Sequence, residues 1–169
     1  MTEPTAASST FTVADGDAMR ALARDVLAPR LRAGDVVILS GDLGAGKTTF
    51  TQGLGAALGV RGPVASPTFI IARTHPSEVG GPALIHVDAY RLNSLAELDD
   101  LDLDTTVESS VTVIEWGEDK AEQLSQDRVH VVIAREVGGE VDMERPDEGI
   151  RTVTFTTHGD RWAGVALVG

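Results

Sequence analysis

The chain has 169 residues, 42% of them hydrophobic, enough for one domain around a single sizeable core. No run approaches the roughly 18 apolar residues of a membrane span, and no charged-then-apolar signal peptide opens the chain, so a cytosolic protein without membrane contact is expected. Cysteine is absent, which excludes disulfides, thiolate metal sites and cysteine nucleophiles, and the formal charge of −12 describes a surface that should repel nucleic acid. If such a protein serves an RNA pathway, a partner must hold the RNA.

Residues 1–10 are small and polar and are expected to be a flexible tail. Residues 11–169 show no repeat and no dividing linker, so they are expected to form one domain. Phe11-Thr12-Val13 reads as a short edge strand. Asp15 or Asp17 then caps a helix whose Met19, Leu22, Ala23, Val26 and Leu27 make an apolar stripe. Pro29 ends or kinks that helix, and Gly34-Asp35 turns the chain into Val36-Val37-Ile38-Leu39, a short apolar, β-branched run of buried-strand type.

Directly after this run stands Gly41-Asp42-Leu43-Gly44-Ala45-Gly46-Lys47-Thr48, a match to G-x-x-x-x-G-K-[ST]. A helix follows over 49–58, with Phe50, Leu54 and Leu58 at helical spacing and Gly59 placed as its cap. Strand, glycine-rich turn and helix is the context a phosphate-binding loop requires. Glycines let backbone N–H groups wrap a phosphate without a Cβ in the way. The helix N-terminus adds about half a positive charge and Lys47 a mobile full one. Thr48 offers a hydroxyl to Mg²⁺. Asp42 is read as a structural turn residue, because a carboxylate facing phosphate at 4 Å would cost about 4 kcal/mol.

Beyond a turn at Arg61-Gly62-Pro63, the segment Ser66-Pro67-Thr68-Phe69 occupies a switch-loop position, leading into an apolar strand at 69–71. Residues 75–82 form a Pro/Gly hairpin-like loop. Residues 83–87 are the next strand, ending in Asp88, with His86 and Asp88 on one face by alternation. A capping box, Ser94-x-x-Glu97, starts a short helix with Leu95, Leu98 and Leu101 inward. Asp99, Asp100, Asp102 and Asp104 read as a solvated face. Residues 111–114 are another buried strand, ending in Glu115-Trp116-Gly117-Glu118. Further on come a helix at 119–126, a strand at 129–133, an acidic loop at 141–149 and an alternating edge strand at 151–157. Residues 162–167 fit a last helical turn or a strand. A P-loop needs an acid at the end of a neighbouring strand to orient the Mg²⁺ shell. Asp88 and Glu115 both qualify, one directly and one through water.

The motifs GDLGAGKTTF, SPTF, HVDAYRL and VIEWGE, in this order and spacing, resemble the TsaE family of small P-loop ATPases from bacterial tRNA threonylcarbamoyladenosine synthesis. The resemblance spans residues 11–118. It implies an α/β three-layer P-loop NTPase-type fold with a mostly parallel central sheet, ATP and Mg²⁺ as ligands, and partnership with the TsaD transferase and TsaB. Through those partners the chain would meet tRNA only indirectly. Carried over by position, it assigns Gly44, Ala45, Gly46, Lys47, Thr48 and Thr49 to ATP phosphates and places Mg²⁺ on Thr48 and Glu115. Thr68 becomes the contact near the γ-phosphate and Asp88 the acid that organises the attacking water. Trp116 falls near the nucleotide, at the partner face or in the core. The chain departs from the family where a Thr near the adenine is usual, here Asp17-Ala18-Met19, and where Gly117 replaces a proline. A small-molecule kinase is the alternative, but it would need an arginine-rich lid and an acceptor pocket. No D-x-x-G or N-K-x-D pattern supports a GTPase. Arg73 and Arg91 are the arginines nearest the motifs, and neither reads as an arginine finger, so weak hydrolysis alone and stimulation by partners are expected.

Overall fold

The computed structural model describes residues 7–41, 46–60, 72–88, 107–115, 127–135, 150–165 and 167. Seven strands form one sheet: β1 (Ala7–Val13), β2 (Val36–Ser40), β3 (Ala72–His75), β4 (Ala83–Asp88), β5 (Ser110–Glu115), β6 (Arg128–Arg135) and β7 (Arg151–His158). Their spatial order is β1-β7-β6-β2-β5-β4-β3. The four central strands, β6, β2, β5 and β4, run parallel. The flanks close antiparallel, with β7 against β6, β1 against β7 and β3 against β4. The fold is thus α/β with a parallel centre in a mixed sheet.

Why the centre is parallel follows from its composition. Val36 to Leu39 and Val111 to Ile114 are continuous β-branched or aliphatic runs, apart from Thr112, and β2 and β5 are buried on both faces. A strand with one wet face would alternate instead, as β7 does. Val37, Leu39, Leu84, Val111 and Val113 join the core beneath the helices, while Ile38, Ile85, Val87 and Ile114 are equally buried on the other face. The helices expected at 94–104 and 119–126, and the loop at 141–149, lie outside the described residues.

Helix α1 (Gly16–Leu22) is capped by Asp15, whose carboxylate accepts a 2.8 Å bond from the Ala18 amide, so the cap is Asp15 and not Asp17. It continues as a wider turn over Ala23–Leu27, and Pro29 then forces a tight 3-10 turn, Ala28–Arg30. All five residues of the expected stripe are buried. Helix α2 (Lys47–Leu58) packs on α1 at very close range. A Cβ at Gly53 would lie 2.6 Å from the carbonyl oxygen of Arg20, so no other residue fits without separating the helices. Phe50 joins α2 to the sheet through Phe155 at 5.9 Å between rings, and Phe155 meets Phe11 of β1 edge-on at 5.6 Å. Each such pair contributes about 0.5–1.5 kcal/mol beyond its buried area.

Two expectations need correction. Strand β1 begins at Ala7, so residues 7–10 are paired with β7 and do not belong to a loose tail. Backbone pairing suffices there, because an edge strand of Ser and Thr needs no apolar side chain to form a ladder. Strand β7 is not at the edge, since β1 covers it on one side and β6 on the other. At the far edge, β3 occupies Ala72–His75 and makes a hairpin with β4; the apolar stretch at 69–71, expected as a strand, lies outside the described residues. The close of the chain is a 3-10 turn, Asp160–Trp162, with Trp162 buried.

Candidate functional site

Parallel strands deliver their C-terminal ends to one edge of the sheet, where open α/β folds bind ligands. Here β2 ends in Ser40 and Gly41, β5 in Glu115 and β4 in Asp88. Glu115 pairs with Leu39 on one side and with Asp88 on the other, so both candidate acids stand at this edge, in adjacent strands directly beside the loop. Adjacent strands lie about 4.8 Å apart, which keeps Glu115 one strand from the loop and Asp88 two.

Helix α2 begins on the same edge. Gly46 precedes it with φ +115°, a left-handed conformation that L side chains rarely adopt. A Cβ there would also lie 3.2 Å from the Cε of Met19 and 3.9 Å from the Cδ of Arg151. Glycine is therefore required by conformation, and a Cβ would also press on the end of the Met19 side chain. Lys47 opens the helix and is buried, only 6% exposed, with its Nζ donating to the Gly41 carbonyl at 2.6 Å. The ammonium thus reaches back to Gly41, at the start of the loop. Thr48 and Thr49 are half-buried in the first helical turn, which is closed by a 2.9 Å bond from the Phe50 amide to the Gly46 carbonyl. Thr51 is buried and ties its hydroxyl to the Lys47 carbonyl at 2.9 Å, which steadies that turn.

Glu115 is 4% exposed, and its Oε2 lies 3.0 Å from Nε2 of His86, a fully buried histidine of β4. Alternation explains the meeting. His86 shares the helix-covered face with Leu84, Glu115 shares it with Val113, and His86 reaches diagonally across one strand. The sequence places His86 and Asp88 on one face but gives no sign of this contact, which depends on the register between strands joined by a long connection.

The structure thus brings Gly46, Lys47, Thr48, Thr49 and Glu115 to one edge, with the Asp88 backbone beside them. Gly44, Ala45, Thr68 and the Asp88 side chain, like Asp42, Arg91 and Trp116, lie outside the described residues. Sequence reasoning missed Arg151. It is buried and far along the chain, yet its Cδ packs beside Gly46 because antiparallel β7 starts at this edge, with Arg151 paired to Arg135 at the end of β6. Arg73, by contrast, sits on the far edge strand, β3. No group of three or more His, Asp or Glu residues forms a metal cage among the described residues.

These features suit a magnesium-bound nucleotide on the chain's own terms. A left-handed glycine whose Cβ position is already closely approached leaves backbone next to the ligand, a buried ammonium compensates phosphate charge, and one buried carboxylate is a usual Mg²⁺ complement. A parallel α/β sheet with a glycine-led turn and a buried lysine opening the next helix defines a fold of the P-loop NTPase type.

Comparison with known proteins narrows the class. A family model described as "Threonylcarbamoyl adenosine biosynthesis protein TsaE" matches residues 13–143. The protein called tRNA threonylcarbamoyladenosine biosynthesis protein TsaE in Streptomyces coelicolor is 58% identical over 146 residues, covering 86% of this chain and 94% of that one. The protein of the same name in Bacillus subtilis is 39% identical over 132 residues, covering 78% and 75%. The crystal structure of Bacillus subtilis YdiB superposes with a TM-score of 0.70 at 32% identity, over 94% of this chain and 91% of that one. The chain belongs to the TsaE family.

Proposed function

We propose that this protein binds ATP with Mg²⁺ at the C-terminal edge of its sheet and hydrolyses it in support of tRNA threonylcarbamoyladenosine modification. The observation that carries this reading is one juxtaposition. Buried Lys47 follows left-handed Gly46 at the head of α2, and buried Glu115 ends the strand paired with β2. Gly46 and the residues before it, Gly44 and Ala45, present backbone to the β- and γ-phosphates. Lys47 shifts its ammonium from the Gly41 carbonyl to phosphate oxygens. Thr48 and Glu115 would supply hydroxyl and carboxylate to the metal shell, and Thr49 would add a hydroxyl to the ATP phosphates. Bound Mg²⁺ neutralises charge on the transferring phosphoryl group. Thr68 and Asp88 are assigned to the γ-phosphate and the attacking water.

The acidic chain is a poor match for tRNA, since affinity for nucleic acid rests mainly on Lys and Arg meeting phosphates. The transferase TsaD and its companion TsaB are therefore the partners that hold RNA, and this chain is an ATPase that serves them. Hydrolysis is slow alone and rises when the two partners are added.

Calorimetric ATP titrations and phosphate release test the reading. Lys47→Ala should weaken ATP binding about 10–100-fold, the range for losing one charge-assisted hydrogen bond of 1.5–3 kcal/mol. Glu115→Ala should keep metal-free ATP binding and lose Mg²⁺-dependent hydrolysis. Wild-type ATP affinity in Lys47→Ala, or hydrolysis that partners leave unchanged, would refute it.

A further inference from the structure

Histidine 86 is the one fully buried titratable side chain among the described residues, and none of the steps above employs it. Its Nε2 stands 3.0 Å from the Glu115 carboxylate, at ion-pair distance, and neither ring nitrogen has an aligned hydrogen-bond partner among the described residues. Leaving a buried polar group unpaired costs about 1–3 kcal/mol. An aliphatic residue in the middle of β4, between Ile85 and Val87, would avoid that cost. The histidine is therefore tied to what lies across from it.

We infer that His86 is a positioning residue that holds the Glu115 carboxylate in the orientation which receives Mg²⁺. This rests on the assignment of Glu115 to the metal shell. Nε2 stands 3.0 Å from Oε2, near enough to donate to a carboxylate oxygen when ring and acid align. The contact engages Oε2, so Oε1 is the oxygen assigned to the metal shell. The strand register makes the contact rigid. Asp88 is paired with Glu115 and His86 with Val113, so the ring is fixed one diagonal step below the acid with no loop between them. Outer partners of this kind typically hold 10–100-fold in metal affinity.

The test compares two near-isosteric variants, His86→Gln and His86→Leu, by calorimetric titration of a non-hydrolysable ATP analogue in EDTA and in millimolar MgCl₂. The ratio of the two affinities measures the metal's contribution. Metal-free affinity should stay at the wild-type value in both variants, which also shows that both are folded. His86→Leu should lose about 10–100-fold of the magnesium-dependent gain, and His86→Gln, which keeps an N–H donor, should recover most of it. A wild-type gain in His86→Leu overturns the inference, as does an equal loss in both variants, which would mark a packing role alone. No magnesium-dependent gain in the wild type would instead overturn the metal assignment itself, and this inference with it.

Discussion

The two ends of strand β2 handle buried charge in opposite ways. At its start, Asp35 is 5% exposed and closed on every side. It accepts two 3.0 Å bonds from the Arg161 guanidinium and a 2.8 Å bond from the Arg32 amide. Arg161 donates once more to the Arg30 carbonyl at 2.8 Å and lies 4.2 Å from the Trp162 ring centroid. At the finish of the same strand, Lys47 bonds the Gly41 carbonyl at 2.6 Å, and Glu115 stands 3.0 Å from the edge of a buried histidine. A bidentate pair with every oxygen matched belongs to the architecture. Charges gathered at the C-terminal edge, beside a left-handed glycine and the head of α2, stand where open α/β sheets take their ligands, and that sets the two ends apart.

Mutations at the two ends should therefore separate stability from binding. The largest effect on stability is expected at the closed end. Asp35→Ala leaves the Arg161 guanidinium without its carboxylate in a largely buried place and should cost about 3 kcal/mol, lowering Tm by about 6–12 °C by thermal melting. ATP affinity of the folded fraction should be unchanged, and a matching loss of affinity would erase the distinction between the ends. Gly53→Ala comes next. The added methyl meets the Arg20 carbonyl 2.6 Å away and should cost about 1–3 kcal/mol by forcing α1 from α2. Unlike Asp35→Ala, it should also alter ATP binding, because α2 carries Lys47. The smallest effect sharpens the contrast from outside. Asp25 is fully exposed, and its carboxyl is held below the usual range, first by the hydrogen bond from Arg24. Any help it gives is present above the ordinary Asp range and fades as pH falls through its lowered value. Water screens the pair, so Asp25→Asn should leave Tm within measurement scatter at neutral pH.

Much of this fold is legible in the chain because the relevant signals are local. The runs 36–39 and 111–114 announce buried parallel strands, the α1 stripe announces its buried face, and the glycine-lysine turn announces its own chemistry. What escapes is everything that depends on neighbours. Alternation in β7 reports which face is wet, but not whether another strand lies alongside, so an interior strand looks like an edge. Strand β3, with Arg73, Thr74 and His75, has no apolar pattern, and its backbone pairing with β4 alone defines it. Within the site, Lys47 and Gly46 could be named from the motif. The His86–Glu115 contact and the approach of Arg151 to Gly46 could not, since each requires knowing the order of strands that are distant in sequence.

The outermost rung, β1, reaches the edge of the candidate site only through its end, yet it shields β7 from Arg151 to Thr157. A chain shortened past Val13 would bare a seven-residue ladder of open amides and carbonyls flanked by Val153 and Phe155, a ready template for sticking to another copy. Its colloidal behaviour thus rests on a segment that contributes no side chain to the candidate site, and a soluble yield would respond to changes there before ligand binding did.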